Sequence, residues 1–201
     1  MDKFEVIKNF LLDESVSPEI RRERFEIAWD IKENFDKVLK KLAYENFITP
    51  LIEKLKPVLG DFTITQTYSS AIYIAKPHWK TSANDRVIVS IAMERWNNPQ
   101  TTIGLVKNNN TKLPLEDEIK NLLKAKYGLR STVLWLGYLP DERKPPTTKL
   151  PLREYYLQIL LNPERVVEEH FSALKEVLDI ANDEEISQFL EEMVRKKEIT
   201  T

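Results

Sequence analysis

The chain contains no cysteine and only two histidines, His78 and His170. Disulfides and thiolate metal sites are thereby excluded, and a zinc site of the usual kind lacks ligands, because the two histidines fall in different predicted elements. Glycine is scarce as well, four in 201 residues. They form neither a Gly-x-x-x-x-Gly-Lys loop nor a Gly-x-Gly-x-x-Gly turn, so the usual nucleotide-phosphate cradles are not expected. No Gly-x-Ser-x-Gly elbow marks a nucleophilic serine. No apolar run approaches the roughly 18 residues that a membrane span needs. Met1-Asp-Lys-Phe-Glu5 lacks the apolar core of a signal peptide. A soluble, cytoplasmic protein with no membrane contact is the expectation. An excess of one charge is missing too: 30 Lys and Arg stand against 32 Asp and Glu, net −2. Dense mixed charge does not announce nucleic-acid binding, which requires at least a local basic patch.

Hydrophobic residues, at 42%, are ordinary for a globular chain. A length of 201 residues defaults to one domain with a sizeable core, with two small domains as the alternative. Between Asp61 and Lys107 the residue period changes from helical to alternating. Residues 62–68, 71–76, 86–94 and 101–106 read as strands, and 132–138 as a last, more buried one. Val87, Val89, Ile91 and Met93 share one side. Ile88, Ser90, Ala92 and Glu94 share the other, where small residues suit a helix packed above them. The connections among the first four are shorter than the dozen residues a parallel crossover needs, which predicts an antiparallel meander.

Helical spacing governs the flanks. Residues 2–12 form a short amphipathic segment, and Ser17-Pro18 is a start signal for a helix reaching Asn46. Ile27, Ile31, Phe35, Val38 and Leu42 recur at three- and four-residue steps as one apolar stripe. The interleaved charges off that stripe read as a solvated face. Trp29 reads as a helix-packing residue and Trp135 as core. Pro50 predicts a kink or break near Thr49, after which Leu51, Leu55, Val58 and Leu59 carry a segment to Gly60. A further helix spans Leu115–Tyr127. The four prolines between Pro140 and Pro151 predict an exposed, semi-rigid loop. Helices follow over Leu152–Leu161 and after Asn162-Pro163, and Asn182 with Glu185 resembles a capping box for the last one. The expected fold is therefore α+β: an antiparallel meander of about five strands, flanked by a long N-terminal helix and C-terminal helices. Within a single domain, residues 1–60 form a helical arm, 61–138 the sheet with one inserted helix, and 152–197 the closing helices.

Chemistry-bearing patterns are few. A magnesium-dependent nuclease needs two or three carboxylates around one ion, often with a lysine beside the attacking water. Asp85, Glu94 and Lys76 come nearest, but about nine residues of strand would hold Asp85 and Glu94 some 30 Å apart. Solvated acids at strand ends account for them as well. Lys76-Pro-His-Trp-Lys80 interleaves bases with an aromatic residue, a pattern that can stack on a base and clamp a phosphate strand. A tryptophan folded back over the core explains it equally. Lys76, His78, Trp79, Lys80, Trp96 and Lys107 are the candidate binding residues. No catalytic residue, metal ligand or cofactor is assigned.

Three runs carry a family resemblance: Ala71-Ile-Tyr-Ile-Ala-Lys-Pro-His-Trp-Lys80, Val87-Ile-Val-Ser-Ile-Ala-Met-Glu94 and Thr101-Thr-Ile-Gly-Leu-Val-Lys107. With Val133-Leu-Trp-Leu-Gly-Tyr-Leu139 and the closing helices, the order of elements resembles the C-terminal accessory region of bacterial PD-(D/E)XK nuclease superfamily proteins. The resemblance implies a helix-flanked antiparallel sheet, usually attached to a nuclease domain. It supplies no catalytic signature, so no catalytic residue is carried over. Three readings stay open: a non-enzymatic module binding nucleic acid or a protein, in a nuclease or phage-defence setting; a divergent magnesium-dependent nuclease; and a homo-oligomeric structural subunit built on the long helix.

Overall fold

In the computed structural model, which describes residues 3–11, 13–68, 71–80, 87–95, 100–108 and 111–199, Ser17 starts the long helix as its sequence predicts. Its Oγ accepts the Ile20 N–H at 3.4 Å, and Pro18 occupies the first helical position, where a missing N–H does no harm. Helix α1 spans Lys3–Leu11 and helix α2 spans Pro18–Ala43. The chain divides inside α2, with Met1–Lys41 as one unit and Leu42–Thr201 as the other.

The second unit begins with the Pro50 problem. Proline has no N–H, and its ring collides with the carbonyl four residues earlier in an α-helix. Instead of breaking, the chain widens into a π turn over Tyr44–Ile48, with the Thr49 N–H donating to the Tyr44 carbonyl. Helix α3, Thr49–Leu55, follows directly. A 3-10 turn over Lys56–Val58 then leads to Gly60, whose φ of +59° turns the chain towards the sheet. Phe47, Ile48, Leu51 and Leu55 of this region are fully buried in the main core.

Strands β1 (Thr63–Tyr68), β2 (Ala71–Ala75), β3 (Val89–Glu94), β4 (Thr102–Lys107) and β5 (Trp135–Tyr138) form one antiparallel sheet in sequential order. From β1 to β4 the meander is as its short connections require; β5 joins after a longer connection. Helix α4, Glu116–Tyr127, is inserted before β5 and ends at Gly128, where φ is +64°. Helices α5 (Leu152–Leu161), α6 (Pro163–Asn182) and α7 (Glu184–Ile199) close the chain. Helix α6 packs on β3 and β4, and α4 on β5. Val89, Ile91, Met93, Ile103 and Leu105 meet them in the main core.

Three local expectations are corrected. Ser90 and Ala92 do not lie beneath a helix. On their face Ala92 packs with Val106, Trp135, Tyr73 and Tyr138 in a separate cluster, and Ser90 Oγ accepts Asn108 Nδ2 at 3.2 Å. Small side chains there make room for rings, and Trp135 and Tyr138 meet edge to face with centroids 6.1 Å apart. The proline-rich run is exposed only in part: Asp141, Glu142, Pro146, Lys149 and Pro151 face solvent, but its middle is held down. Pro145, Thr147 and Thr148 are buried, and the Thr147 N–H donates to the Glu169 carboxylate on α6 at 3.1 Å. The last helix is capped by Asp183 rather than Asn182, because α6 continues through Asn182. Asp183 has the extended backbone of a cap (φ −56°, ψ 133°), and its Oδ1 accepts the Ile186 N–H at 3.3 Å.

Gly104 serves the close approach of β4 to β5. A Cβ there would lie 2.2 Å from the Gly137 carbonyl oxygen and 2.5 Å from Tyr138 Cα. The pairing shifts register in the next step, between Leu105 and Val106.

Candidate functional site

The basic-aromatic loop follows β2 directly. Pro77–Trp79 form a 3-10 turn, closed by the Trp79 N–H on the Lys76 carbonyl at 3.0 Å. The Trp79 carbonyl in turn accepts the Ile88 N–H at 2.9 Å. This stitching draws the indole inward. Trp79 is fully buried and meets the Phe62 ring edge to face at 5.5 Å. Its Nε1 has no hydrogen-bond partner among the described residues.

Lys76 is buried with it. Its ammonium lies 3.4 Å from the Asp61 carboxylate, donates to Ser187 Oγ at 3.3 Å, and sits 5.0 Å from the Phe62 ring centroid. His78 remains exposed, with Nε2 3.1 Å from Glu191 of α7. Lys80 is half-buried and bridges to Val87. Lys107 is buried at the end of β4, where its Nζ donates to Glu116 at 2.7 Å and to the Thr111 carbonyl at 3.1 Å. Trp96 and Asp85 lie outside the described residues.

Lys76 and Trp79 bind inward to Phe62, just before β1, and Lys76 also to Ser187 of α7, whereas Lys107 binds inward to α4. No shared surface joins these three side chains, since each is buried. Glu116 accepts from Lys107, from Lys120 at 2.6 Å and from the Leu113 N–H at 3.0 Å. Burial alone would raise its pKa, but these donors override burial and hold it down to about 2. The cluster is a satisfied structural ion network, which ties β4 to the first turn of α4.

The nuclease acids gain no support from geometry. Glu94 accepts the Tyr73 hydroxyl at 2.7 Å. Among the described residues no group of three His, Asp or Glu side chains is placed to hold a metal ion. No helix among them is long and apolar enough to cross a membrane.

One buried titratable group had no sequence signal beyond its place near an apolar stripe. His170 of α6 is fully buried, with ring centroids 4.6 Å from Phe47 and 6.4 Å from Tyr155. Its Nδ1 lies 2.9 Å from the Val166 carbonyl, and Nε2 has no partner among the described residues. Nδ1 therefore carries the proton of the neutral ring. Desolvation pushes the pKa down to about 4, against the pull of the Val166 carbonyl and Glu169.

The conspicuous free surface is in the first unit. Arg24 of α2 donates to the Phe10 carbonyl at 2.9 Å and to Asp13 at 3.0 Å, and stacks 4.8 Å from the Phe10 ring. This pins α1 against the beginning of α2. Nine residues of α1 extend about 13 Å, against about 39 Å for the 26 of α2, so α1 cannot cover its partner. Every residue from 29 to 38 is exposed. Ile20, Ile27, Ile31, Phe35 and Val38 are each 44–59% exposed. Trp29, expected to pack between helices, is also exposed, tilted against Phe25 at 5.9 Å with Lys32 4.9 Å from its ring.

Fold and surface together define an α+β protein with a sequential five-stranded antiparallel meander and a long helix bearing an uncovered apolar stripe. Compared with models of protein families, with curated proteins and with solved structures, the chain matches none.

Proposed function

We propose that this protein is a non-enzymatic interaction module that engages a protein partner through the apolar stripe of α2. The exposure of Ile20, Ile27, Ile31, Phe35 and Val38 on one helix face carries this reading. An amphipathic helix in a folded protein derives most of its stability from packing that face, and isolated helical stretches are marginal in water. Covering the remaining exposed half of five such side chains would contribute on the order of 1 kcal/mol each. The inward commitment of Lys76, Trp79 and Lys107 removes the main support for a nucleic-acid surface. The resemblance to PD-(D/E)XK accessory regions suits a module without its own catalytic signature, in a nuclease or phage-defence setting.

The test is position-resolved photo-crosslinking in cells. A benzophenone side chain at Ile27, Ile31 or Val38 is expected to trap the same protein product, while one at Glu33 or Lys40 on the polar face is not. Equal trapping at all positions, or trapping at none, would refute the reading.

A further inference from the structure

We infer that the partner of α2 is a second copy of the same chain, laid antiparallel along the apolar stripe about a two-fold axis near Ile31. This rests on the interaction reading above and adds the identity and direction of the partner. Two features of the stripe support it.

The first is its period. Ile20 recurs as Ile31 and Ile27 as Val38, each eleven residues on. An eleven-residue repeat advances 3.67 residues per turn, close to the natural 3.6, so the stripe stays on one side of a nearly straight helix. Two such helices can lie together over the length of the stripe with little supercoiling.

The second is the charge order on one flank. From the N-terminal end that flank carries Glu19, Glu23, Glu26 and Asp30, then Asn34, Lys37 and Lys41. Antiparallel helices place the same flank of each copy face to face. Pairing about residues 31–32 brings Glu23 opposite Lys41 and Glu26 opposite Lys37, and the two-fold repeats each pair. Glu26 already holds Arg22 at 2.9 Å on the helix surface, an exposed contact worth little that a crossing lysine can join. These pairs select direction more than they add affinity.

The antiparallel arrangement sets Ile27 beside Phe35 and Ile31 beside its own symmetry mate.

The absence of cysteine makes the test direct, since single cysteines can be introduced into the full chain without background. A disulfide needs Cα atoms within about 7 Å. In the antiparallel pair two copies of residue 31 meet, whereas two copies of residue 27 stand about 12 Å apart along the axis. Sedimentation velocity over a concentration series should show dimer formation. Under mild oxidation Ile31→Cys should form dimers. Ile27→Cys and Phe35→Cys should each fail alone and crosslink when mixed, and Glu33→Cys should not crosslink.

Crosslinking of Ile27→Cys with itself would show a parallel pair and overturn the antiparallel inference, while leaving the interaction reading in place. A monomer at all concentrations, with no crosslink at residue 31, would overturn the second copy as partner. In that case stripe-specific photo-crosslinking to a different protein separates failure of this inference from failure of the interaction reading.

Discussion

Acidification should destabilise this protein through His170 before it reaches the carboxylates. In the unfolded chain His170 titrates near its ordinary 6.5, whereas in the folded core burial holds it at about 4. Between those values the unfolded chain binds a proton that the folded chain does not. Stability is then fully present above pH 6.5 and is lost as pH falls towards 4. A shift of this size corresponds to about 3 kcal/mol, of which about 2.5 should be gone by about pH 4.5. Urea unfolding at about pH 7.5 and about pH 4.5 measures the loss. The comparison chain is His170→Phe, which keeps a ring between Phe47 and Tyr155 and cannot titrate. Any packing cost of the larger ring is independent of pH, and other ionisable groups act equally in both chains. The expected result is a loss from pH 7.5 to 4.5 that is smaller in His170→Phe by about 2.5 kcal/mol. Equal losses in the two chains would refute the argument that burial keeps this imidazole neutral.

Glu116 should dominate a lower window. Its folded pKa is depressed from 4.5 to about 2, so its contribution is present above pH 4.5 and disappears as pH falls towards 2; a Glu116→Gln chain should lose less stability over that range in acid titrations followed by circular dichroism. Lys107→Met strands part of the Glu116 charge in the interior and should cost about 3 kcal/mol in urea unfolding, with Lys107→Met/Glu116→Leu recovering part of it. Gly104→Ala should cost about 3 kcal/mol or more, read as a lowered Tm, because its Cβ would meet backbone atoms that cannot rotate away. Trp79→Ala should cost about 3–5 kcal/mol and Trp79→Phe clearly less, as expected for loss of a filled core site beside Phe62.

Local signals were legible wherever the physics was local. Ser17-Pro18, Gly60 and Gly128 mark helix and turn boundaries through their own backbone preferences. The alternation in residues 87–94 sorts side chains to two faces of a strand without reference to any other element. Asp183 was legible in principle as a cap, but Asn182 competes for the same role, and one further residue of helix decides between them. Pro145, Thr147 and Thr148 read as loop from composition. Their burial depends on Glu169, 22 residues beyond Thr147, and spacing along the chain carries no trace of that partner.

The candidate binding residues divide on the same principle. Sequence alone determined that Lys76, His78, Trp79 and Lys80 crowd one turn, and that Ile27, Ile31 and Val38 share one helix face, because both follow from the geometry of neighbouring residues. Only the tertiary structure decided which of these groups face solvent. Lys76 turns inward because Ser187, 111 residues away, and Asp61 meet its ammonium there. Lys107 turns inward because Glu116 arrives on a helix that the strand's own pattern does not specify. The α2 stripe, which by period alone reads as core, stays uncovered because the nine residues of α1 are too short to span it. Burial is a property of the partners a side chain meets, and for these residues the partners are set by the fold.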